Sequence, residues 1–342
     1  MTISIGILGA TGYTGAELIR LLHSHPAARI TYCSSRQYNG KSISEVLEFL
    51  KGSVDIGLEE FDASAIKKRC DVVFSCLPHG VSMGFISQII DSVKMVDLSA
   101  DCRIRDVATY RKWYQEHTNP ELLEEAVYGL SEVYRDEIRD ARLVANPGCY
   151  PTSVLLPLMP LIKAGIISLK DIIVDSKSGV SGAGRGLSLK THICETGESF
   201  LAYKVGRSHR HVPEMEQELS RAAGEEVTIE FTAHLIPISR GMLSTIYMNT
   251  SAREEDLINC LKGFYQGSKF VRVINALPAT KDVRGTNKCL MSVVKNKASG
   301  RATIISVIDN LTKGASGQAV QNMNLMFGLD EAAGLDYVPV FP

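Results

Sequence analysis

The chain has 342 residues, too many for one ordinary core, so two cores are expected. Apolar residues make up 45% and charged residues 22%, with a net charge of −1. That balance excludes electrostatic attraction to nucleic acid or to acidic membranes, and points to a small-molecule partner.

Eight cysteines stand at 33, 70, 76, 102, 149, 194, 260 and 289, with neither CxxC pairs nor the density of a disulfide scaffold, which suits a reducing cytosol. No metal-ligand spacing is present, so no metal is expected. The opening MTISIGILGATGYTG lacks a basic region and reads as the first element of the fold, not a signal peptide. The longest apolar run, Val154 to Ile162, holds two prolines and ends at Lys163, well short of the ~20 residues of a membrane span. A cytoplasmic protein without membrane contact is the expectation.

In chain order, β-branched runs at 3–8, 29–35, 71–78, 94–100 and 142–145 alternate with helical patterns such as Gly15 to His23 and Gly80 to Ile90. This is the rhythm of a parallel sheet. Beyond Cys149, strand patterns at 226–238, 242–248, 289–294 and 303–308 dominate, which predicts a mostly antiparallel second domain. The polar stretch 310–326 opens a helix that returns to the first domain.

Gly9-Ala10-Thr11-Gly12-Tyr13-Thr14-Gly15 lies between the first strand pattern and a helix, where glycines let backbone approach a pyrophosphate. The spacing is GxxGxxG instead of GxGxxG, but position and the following βα units support dinucleotide binding. At the end of the second strand no acid is present to bind a ribose 2′-hydroxyl. Ser34, Ser35 and Arg36 stand there instead, two hydroxyls and a cation suited to a 2′-phosphate, so NADP is expected over NAD.

Cys149, in NPGCYPT (146–152), follows the last strand pattern of the nucleotide domain and precedes Pro151, a residue favoured in a first helical turn. A helix N-terminus favours thiolate, the nucleophilic form. Pro157 and Pro160 limit the expectation to the first turn of that helix. In HRHVPE (209–214), an extended HxH would point both imidazoles to one face, which makes His211 or His209 the candidate acid/base, with Glu214 as an orienting carboxylate. Arg103 and Arg210 are candidate anion clamps. Ser178, Gly179 and Gly182, in SGVSGAGR (178–185), offer close backbone approach to a nicotinamide or acyl phosphate.

Together, NPGCYPT, GATGYTG, HRHVPE, DLSADCR (97–103) and SGVSGAGR resemble the N-acetyl-γ-glutamyl-phosphate reductase family, over essentially the whole chain and in order. That family belongs with aspartate-semialdehyde dehydrogenase and is similar in plan to glyceraldehyde-3-phosphate dehydrogenase. The resemblance implies an α/β Rossmann nucleotide-binding domain over 1–148, completed by 313–342, and an α+β catalytic and oligomerisation domain over 149–312 with a mixed, largely antiparallel sheet. It implies Cys149 as nucleophile, the glycine loop on the pyrophosphate, a histidine of HRHVPE as acid/base, and Asn310 and Gly314 at the nicotinamide. Arg103, Arg210 and Glu214 would then serve the substrate.

The reaction so implied is NADPH-dependent reduction of an acyl phosphate through a cysteine thioester, in arginine biosynthesis, by a homodimer or homotetramer. Cys102 departs from the aromatic residue more usual in the family's DLSADFR-like segment. Rival expectations are an N-acetyl-aminoadipyl-phosphate reductase, one methylene longer in substrate, an aspartate-semialdehyde dehydrogenase, and a non-catalytic NADP-binding redox sensor. LIPISRGM (235–242) lacks the Gly-His ending expected of the second.

Overall fold

A computed structural model describes residues 2–341. The chain forms two compact units. One runs to Pro147 and regains Ala315–Asp336; the other is Gly148–Gly314 with the residues from Tyr337 on. The tail expected to complete the nucleotide domain is thus divided, because Val340 N donates to the Arg284 carbonyl (3.0 Å) inside the second unit.

The first unit holds seven strands, β1 (Ile3–Leu8), β2 (Ala28–Ser34), β3 (Leu58–Glu59), β4 (Val72–Ser75), β5 (Lys94–Asp97), β6 (Val127–Tyr128) and β7 (Leu143–Ala145). They lie in the order β3-β2-β1-β4-β5-β7-β6, with every pairing parallel. The chain reverses its direction of winding between β1 and β4, the position where open α/β sheets bind ligands beyond the carboxyl ends of their strands. The near-continuous apolar content of β1 and β4 follows from helices covering both faces. The expected helix over Gly80 to Ile90 is shorter, Ser82–Ile86.

The helix Gly317–Met326 is buried at all ten positions, polar side chains included. Asn322 shows how those polar groups are satisfied: its amide donates to Gly129 O (2.8 Å) and Asn146 Oδ1 (3.1 Å) and accepts from Ser131 Oγ (2.7 Å). A buried polar network of this kind fixes Asn146, at the end of the unit, in one conformation. Cys102 is buried in this unit's core, among Met83, Ile86 and Leu122.

The second unit has β8 (Ile172–Gly179), β9 (Leu201–Tyr203), β10 (Ile229–Ile236), β11 (Met242–Asn249), β12 (Val271–Val273), β13 (Cys289–Lys295) and β14 (Arg301–Ile308). Their order is β12-β13-β14-β11-β8-β10-β9. Four of the six pairings are antiparallel, and β8 with β10 and β12 with β13 are parallel. The sheet is mixed and largely antiparallel, as expected.

The interior strand β8, between β11 and β10, carries little sequence signal in its second half. Its inward positions Ser176 and Ser178 are serines, and Ser176 Oγ bonds Ser244 Oγ on β11 (2.7 Å), which in turn bonds Ser153 Oγ (2.7 Å). Small hydroxyl residues paired in this way let a helix lie close on the sheet. That helix is Cys149–Lys163, and it continues through Pro157 and Pro160 instead of stopping after its first turn. Pro160 has no N–H for the carbonyl of Leu156, and the Tyr265 hydroxyl supplies the missing donor at 2.5 Å.

Candidate active site

The cysteine at 149 is the first residue of its helix; Gly148, at φ −66° and ψ 157°, is the N-cap and provides no side chain to bond the first N–H groups. Unsatisfied amides at a helix start favour negative charge there. Glu214, fully buried in the first turn of the helix Val212–Ala223, accepts the Gly148 N–H at 2.8 Å. The sequence cast Glu214 as an orienting or substrate-binding carboxylate. The structure places its Oε1 on the backbone that aims Cys149.

His209 and His211 do come together, though not on an extended strand. The segment is a turn, with His211 in the right-handed helical region (φ −84°, ψ −9°). Their ring centroids lie 4.9 Å apart, and both pack edge-on against Tyr150, at 5.3 and 5.9 Å. The two are chemically unequal. His209 is buried, and its Nδ1 accepts the backbone N–H of His211 (3.1 Å), which fixes the neutral tautomer with the proton on Nε2. Burial, with the positive charges of Lys204 and Arg210, lowers its pKa to about 4. His211 is half-buried.

Two tyrosines complete the wall, and the sequence reading passed over both. The Tyr150 hydroxyl bonds that of Tyr203 (3.1 Å) and donates to His234 O (3.3 Å), while the Tyr203 ring lies 5.6 Å from that of His209. Burial raises the Tyr203 phenol to about 12 and pushes the Tyr150 phenol well above its ordinary value; the negative charge of a Cys149 thiolate adds to both shifts. The available signal was an aromatic hydroxyl directly after the candidate nucleophile.

Behind the thiol, Gly314 approaches so closely that a Cβ on it would lie 2.8 Å from Cys149 Cβ. Asn310 spends its amide on protein, accepting Gly241 N (2.8 Å) and donating to Ser181 Oγ (2.9 Å). A Cβ on Gly179 would stand 2.9 Å from the Ile238 and Ser239 carbonyls, and one on Gly182 2.9 Å from Ser178 Oγ. Of these residues, expected at the cofactor, Gly314 lies against Cys149, and Asn310, Gly179 and Gly182 interlock the loops that follow β8, β10 and β14.

Arg240, half-buried, is a further residue the sequence did not single out. It donates to Asp309 Oδ1 (3.1 Å) and Thr312 Oγ1 (2.9 Å). Asp309 also receives the N–H groups of Gly285, Leu311 and Thr312, so it anchors the π-helical turn Thr312–Ser316 that carries Gly314. Arg210 is exposed.

In the first unit, the glycine loop joins β1 to the helix Tyr13–His23, with Gly12 as an N-cap that has no side-chain bond. Gly9 has φ +76° and a Cβ there would be 2.8 Å from Cys76 O, while one on Gly15 would be 2.6 Å from Ala10 O. Those two glycines answer the protein's own crowding. At Gly12 a Cβ would meet only Gly9 O at 3.6 Å, so this is the position that leaves room for a phosphate at the helix start.

Thr11 Oγ1 and Ser35 Oγ are 3.4 Å apart, Ser34 O accepts from Gly9 and Ala10, and Arg36 is exposed beside the buried Ser34 and Ser35. Tyr13 and Thr14 open the helix. Arg103 is buried, its guanidinium donating to the Asn146 and Leu98 carbonyls, both at 2.7 Å. It braces the chain before Pro147 through backbone groups, where the sequence had suggested an anion clamp.

None of the eight cysteines is in a disulfide. Among the described residues no cluster of His, Cys, Asp or Glu is placed to hold a metal ion, and no helix is long and apolar enough to cross a membrane.

A parallel-sheet unit with a glycine-loop helix start, and a mixed-sheet unit with a thiol at a helix start, define a class. Two profiles describe it: "Semialdehyde dehydrogenase, NAD binding domain" matches residues 4–141, and "Semialdehyde dehydrogenase, dimerisation domain" matches 149–310. Solved structures agree in fold. Aspartate semialdehyde dehydrogenase II of Vibrio cholerae, complexed with ASA, has a TM-score of 0.73 at 16% identity, over 96% of this chain and 99% of that one. The enzyme of Candida albicans, with NADP, has 0.69 at 18%, over the same shares.

Among curated sequences, N-acetyl-gamma-glutamyl-phosphate reductase of Geobacter sp. (strain M21) is 52% identical over 99% of this chain and 100% of its own length. That of Desulforamulus reducens is 50% identical, again over 99% and 100%. The chain belongs to the semialdehyde dehydrogenase family, in its N-acetyl-gamma-glutamyl-phosphate reductase branch.

Proposed function

We propose that the chain catalyses NADPH-dependent reductive dephosphorylation of N-acetyl-γ-glutamyl phosphate to N-acetylglutamate 5-semialdehyde, a step of arginine biosynthesis, through a thioester on Cys149. The observation that carries this reading is the placement of Cys149 at a helix start with two imidazoles packed on the adjacent Tyr150. The full-length relatives near 50% identity bear the same name.

The first unit holds the nucleotide, and the second performs the acyl chemistry. Gly12 and the N–H groups of the following helix receive the pyrophosphate, with Gly9, Thr11, Tyr13, Thr14 and Gly15 shaping the loop. Ser34, Ser35 and Arg36 receive the 2′-phosphate, which selects NADP(H). When bound, the reduced nicotinamide supplies the hydride.

Cys149 Sγ attacks the acyl carbon and phosphate departs, leaving an acyl-enzyme thioester. The backbone N–H groups at the helix start stabilise the oxyanion formed at this addition. After reduction the thiohemiacetal collapses, with release of the aldehyde and return of the thiolate. His211 moves the proton. His209, held neutral by its Nδ1 acceptor role and by burial, cannot cycle its charge near neutrality and positions His211. Arg210 serves the substrate's carboxylate or phosphate, since a guanidinium pairs with either. The active form is a homodimer or homotetramer.

The reverse reaction tests this. Protein, NADP⁺ and inorganic phosphate are mixed with N-acetylglutamate semialdehyde, its one-methylene-longer homologue, or aspartate semialdehyde, and absorbance of the reduced cofactor is followed. The first aldehyde should give the highest kcat/KM. Preference for either of the others reassigns the substrate, and no reduction of NADP⁺ with any of them overturns the reductase reading.

A further inference from the structure

After Asp336 the chain leaves the first unit, and the residues from Tyr337 on belong to the second. They add little core there, since Val338, Val340 and Phe341 are between 60% and 82% exposed. The segment is tied down at Val340, whose N–H donates to Arg284 O at 3.0 Å. The Val340 side chain also lies over the next residue of that turn: a Cβ on Gly285 would stand 3.3 Å from Val340 Cγ2.

The turn at 280–285 supports the loops around Cys149 at two points. Gly285, at φ +75°, donates its N–H to Asp309 Oδ2 (2.7 Å). Thr280 packs on Gly241, where a Cβ would come within 2.8 Å of Thr280 Cβ, and Gly241 N donates to Asn310 Oδ1 (2.8 Å). Asp309 is fully buried, with Oδ1 taken up by Arg240 and by the N–H groups of Leu311 and Thr312. Its carbonyl accepts Gly314 N (2.9 Å), and Gly314 lies against Cys149.

We infer that Val340 is a positioning residue for Cys149: the segment from Tyr337 on clamps the turn at 280–285 and, through Asp309, holds Gly314 against the nucleophile. Two physical points carry this. Each link is a backbone group or a buried carboxylate, so no long side chain absorbs a displacement along the way. Glycine has the widest backbone freedom of any residue, so the turn pivots at Gly285 unless something lies on it, and Val340 does. A buried carboxylate oxygen gives up its donor only at a cost, so Asp309 follows the turn. That Cys149 is the nucleophile rests on the reductase reading; the clamp on Gly314 does not.

The test compares the full chain with a chain ending at Asp336, with Val340→Pro, which removes the N–H, and with Val340→Ile, which keeps it. Amide exchange over 309–316 should quicken by about two- to tenfold in the shortened chain and in Val340→Pro, the order that one hydrogen bond sets. Val340→Ile should exchange as wild type does. Strand β10 and the helix Glu254–Phe264, outside the path, should be unchanged in every variant. A displacement near 1 Å at a reacting atom costs about 10²-fold. A loosened turn should therefore lower kcat by about tenfold in the shortened chain and in Val340→Pro, with the KM for NADPH unchanged and Val340→Ile at the wild-type rate.

Unchanged exchange over 309–316 in both variants overturns the clamp. Exchange that quickens in β10 as well makes the segment a general stabiliser, and also overturns it. Quickened exchange over 309–316 with wild-type kcat removes Val340 from the positioning of Cys149. Should the shortened chain fail to fold, Val340→Pro decides. If wild type shows no reductase activity, the reductase reading fails, and exchange over 309–316 still decides the clamp.

Discussion

The backbone of Gly314 runs against Cys149, leaving only 2.8 Å between a Cβ at 314 and the Cβ of the cysteine. Gly314 N donates to Asp309 O at 2.9 Å, five residues back, which is the π-helical bond that brings the turn to this position. Gly314→Ala must therefore push Cys149, the turn, or both. A shift near 1 Å at a reacting atom costs about 10²-fold in rate, and overpacking costs about 1–3 kcal/mol. We expect kcat to fall by about that factor with the KM for NADPH little changed, as steady-state kinetics would show; an active Ala variant would place Gly314 outside the reaction.

Cys149→Ser replaces a thiolate with a hydroxyl that stays protonated near neutrality. Turnover should drop by at least about 10³-fold, the order seen when a nucleophile is removed. NADPH binding, read from quenching or transfer of its fluorescence, should persist. Normal turnover in this variant would contradict a covalent mechanism.

His211→Asn should lower kcat by about 10²–10⁴-fold, the range of general acid–base catalysis. His209→Asn should cost less, because its ring positions and does not exchange protons near neutrality. The basic or acidic limb of the pH–rate profile assigned to the acid/base should vanish in the 211 variant and persist in the 209 variant. The opposite pattern would exchange the two roles.

His209 also predicts a pH dependence of stability. Its folded pKa, about 4, lies below the ordinary value of 6.5, so the unfolded chain binds the proton first as pH falls. Its contribution is complete above pH 6.5 and is lost between 6.5 and 4, by up to about 3 kcal/mol. Asp97 acts with the opposite sign, since burial and the neighbouring Asp101 raise it from 3.8 to about 6, and its contribution is lost as pH rises through that window. The difference in Tm between wild type and His209→Gln isolates the histidine: it should shrink toward pH 4, and a constant difference would remove His209 as the cause.

Arg36→Ala tests cofactor choice. The KM for NADPH should rise about tenfold or more, as expected when a charge-assisted contact to phosphate is lost, while the KM for NADH stays unchanged. Equal changes for both cofactors would rule out a 2′-phosphate contact at Arg36.

Much of this could be read along the chain because local rules carried it. A glycine loop between a strand and a helix, and a cysteine between Pro-Gly and Tyr-Pro, mark helix starts through backbone chemistry that needs no partner. β8 was invisible because its buried face changes from Ile172 and Val174 to Ser176 and Ser178, and the Ser176 hydroxyl meets that of Ser244 from another strand. The helix beyond Pro157 escaped notice because the donor that replaces the Pro160 N–H comes from Tyr265, more than a hundred residues away.

The sequence by itself determined where the thiol and the glycine loop begin their helices, since capping and φ preferences are set within a few residues. Only the tertiary structure decided what the charged and polar candidates do. It turned Glu214 and Arg103 onto backbone groups, interlocked Asn310 with its neighbouring loops, and separated two histidines only two positions apart into a buried neutral ring and a half-buried one. Desolvation and hydrogen-bond partners come from residues distant in the chain, and they set which side chain can carry a charge.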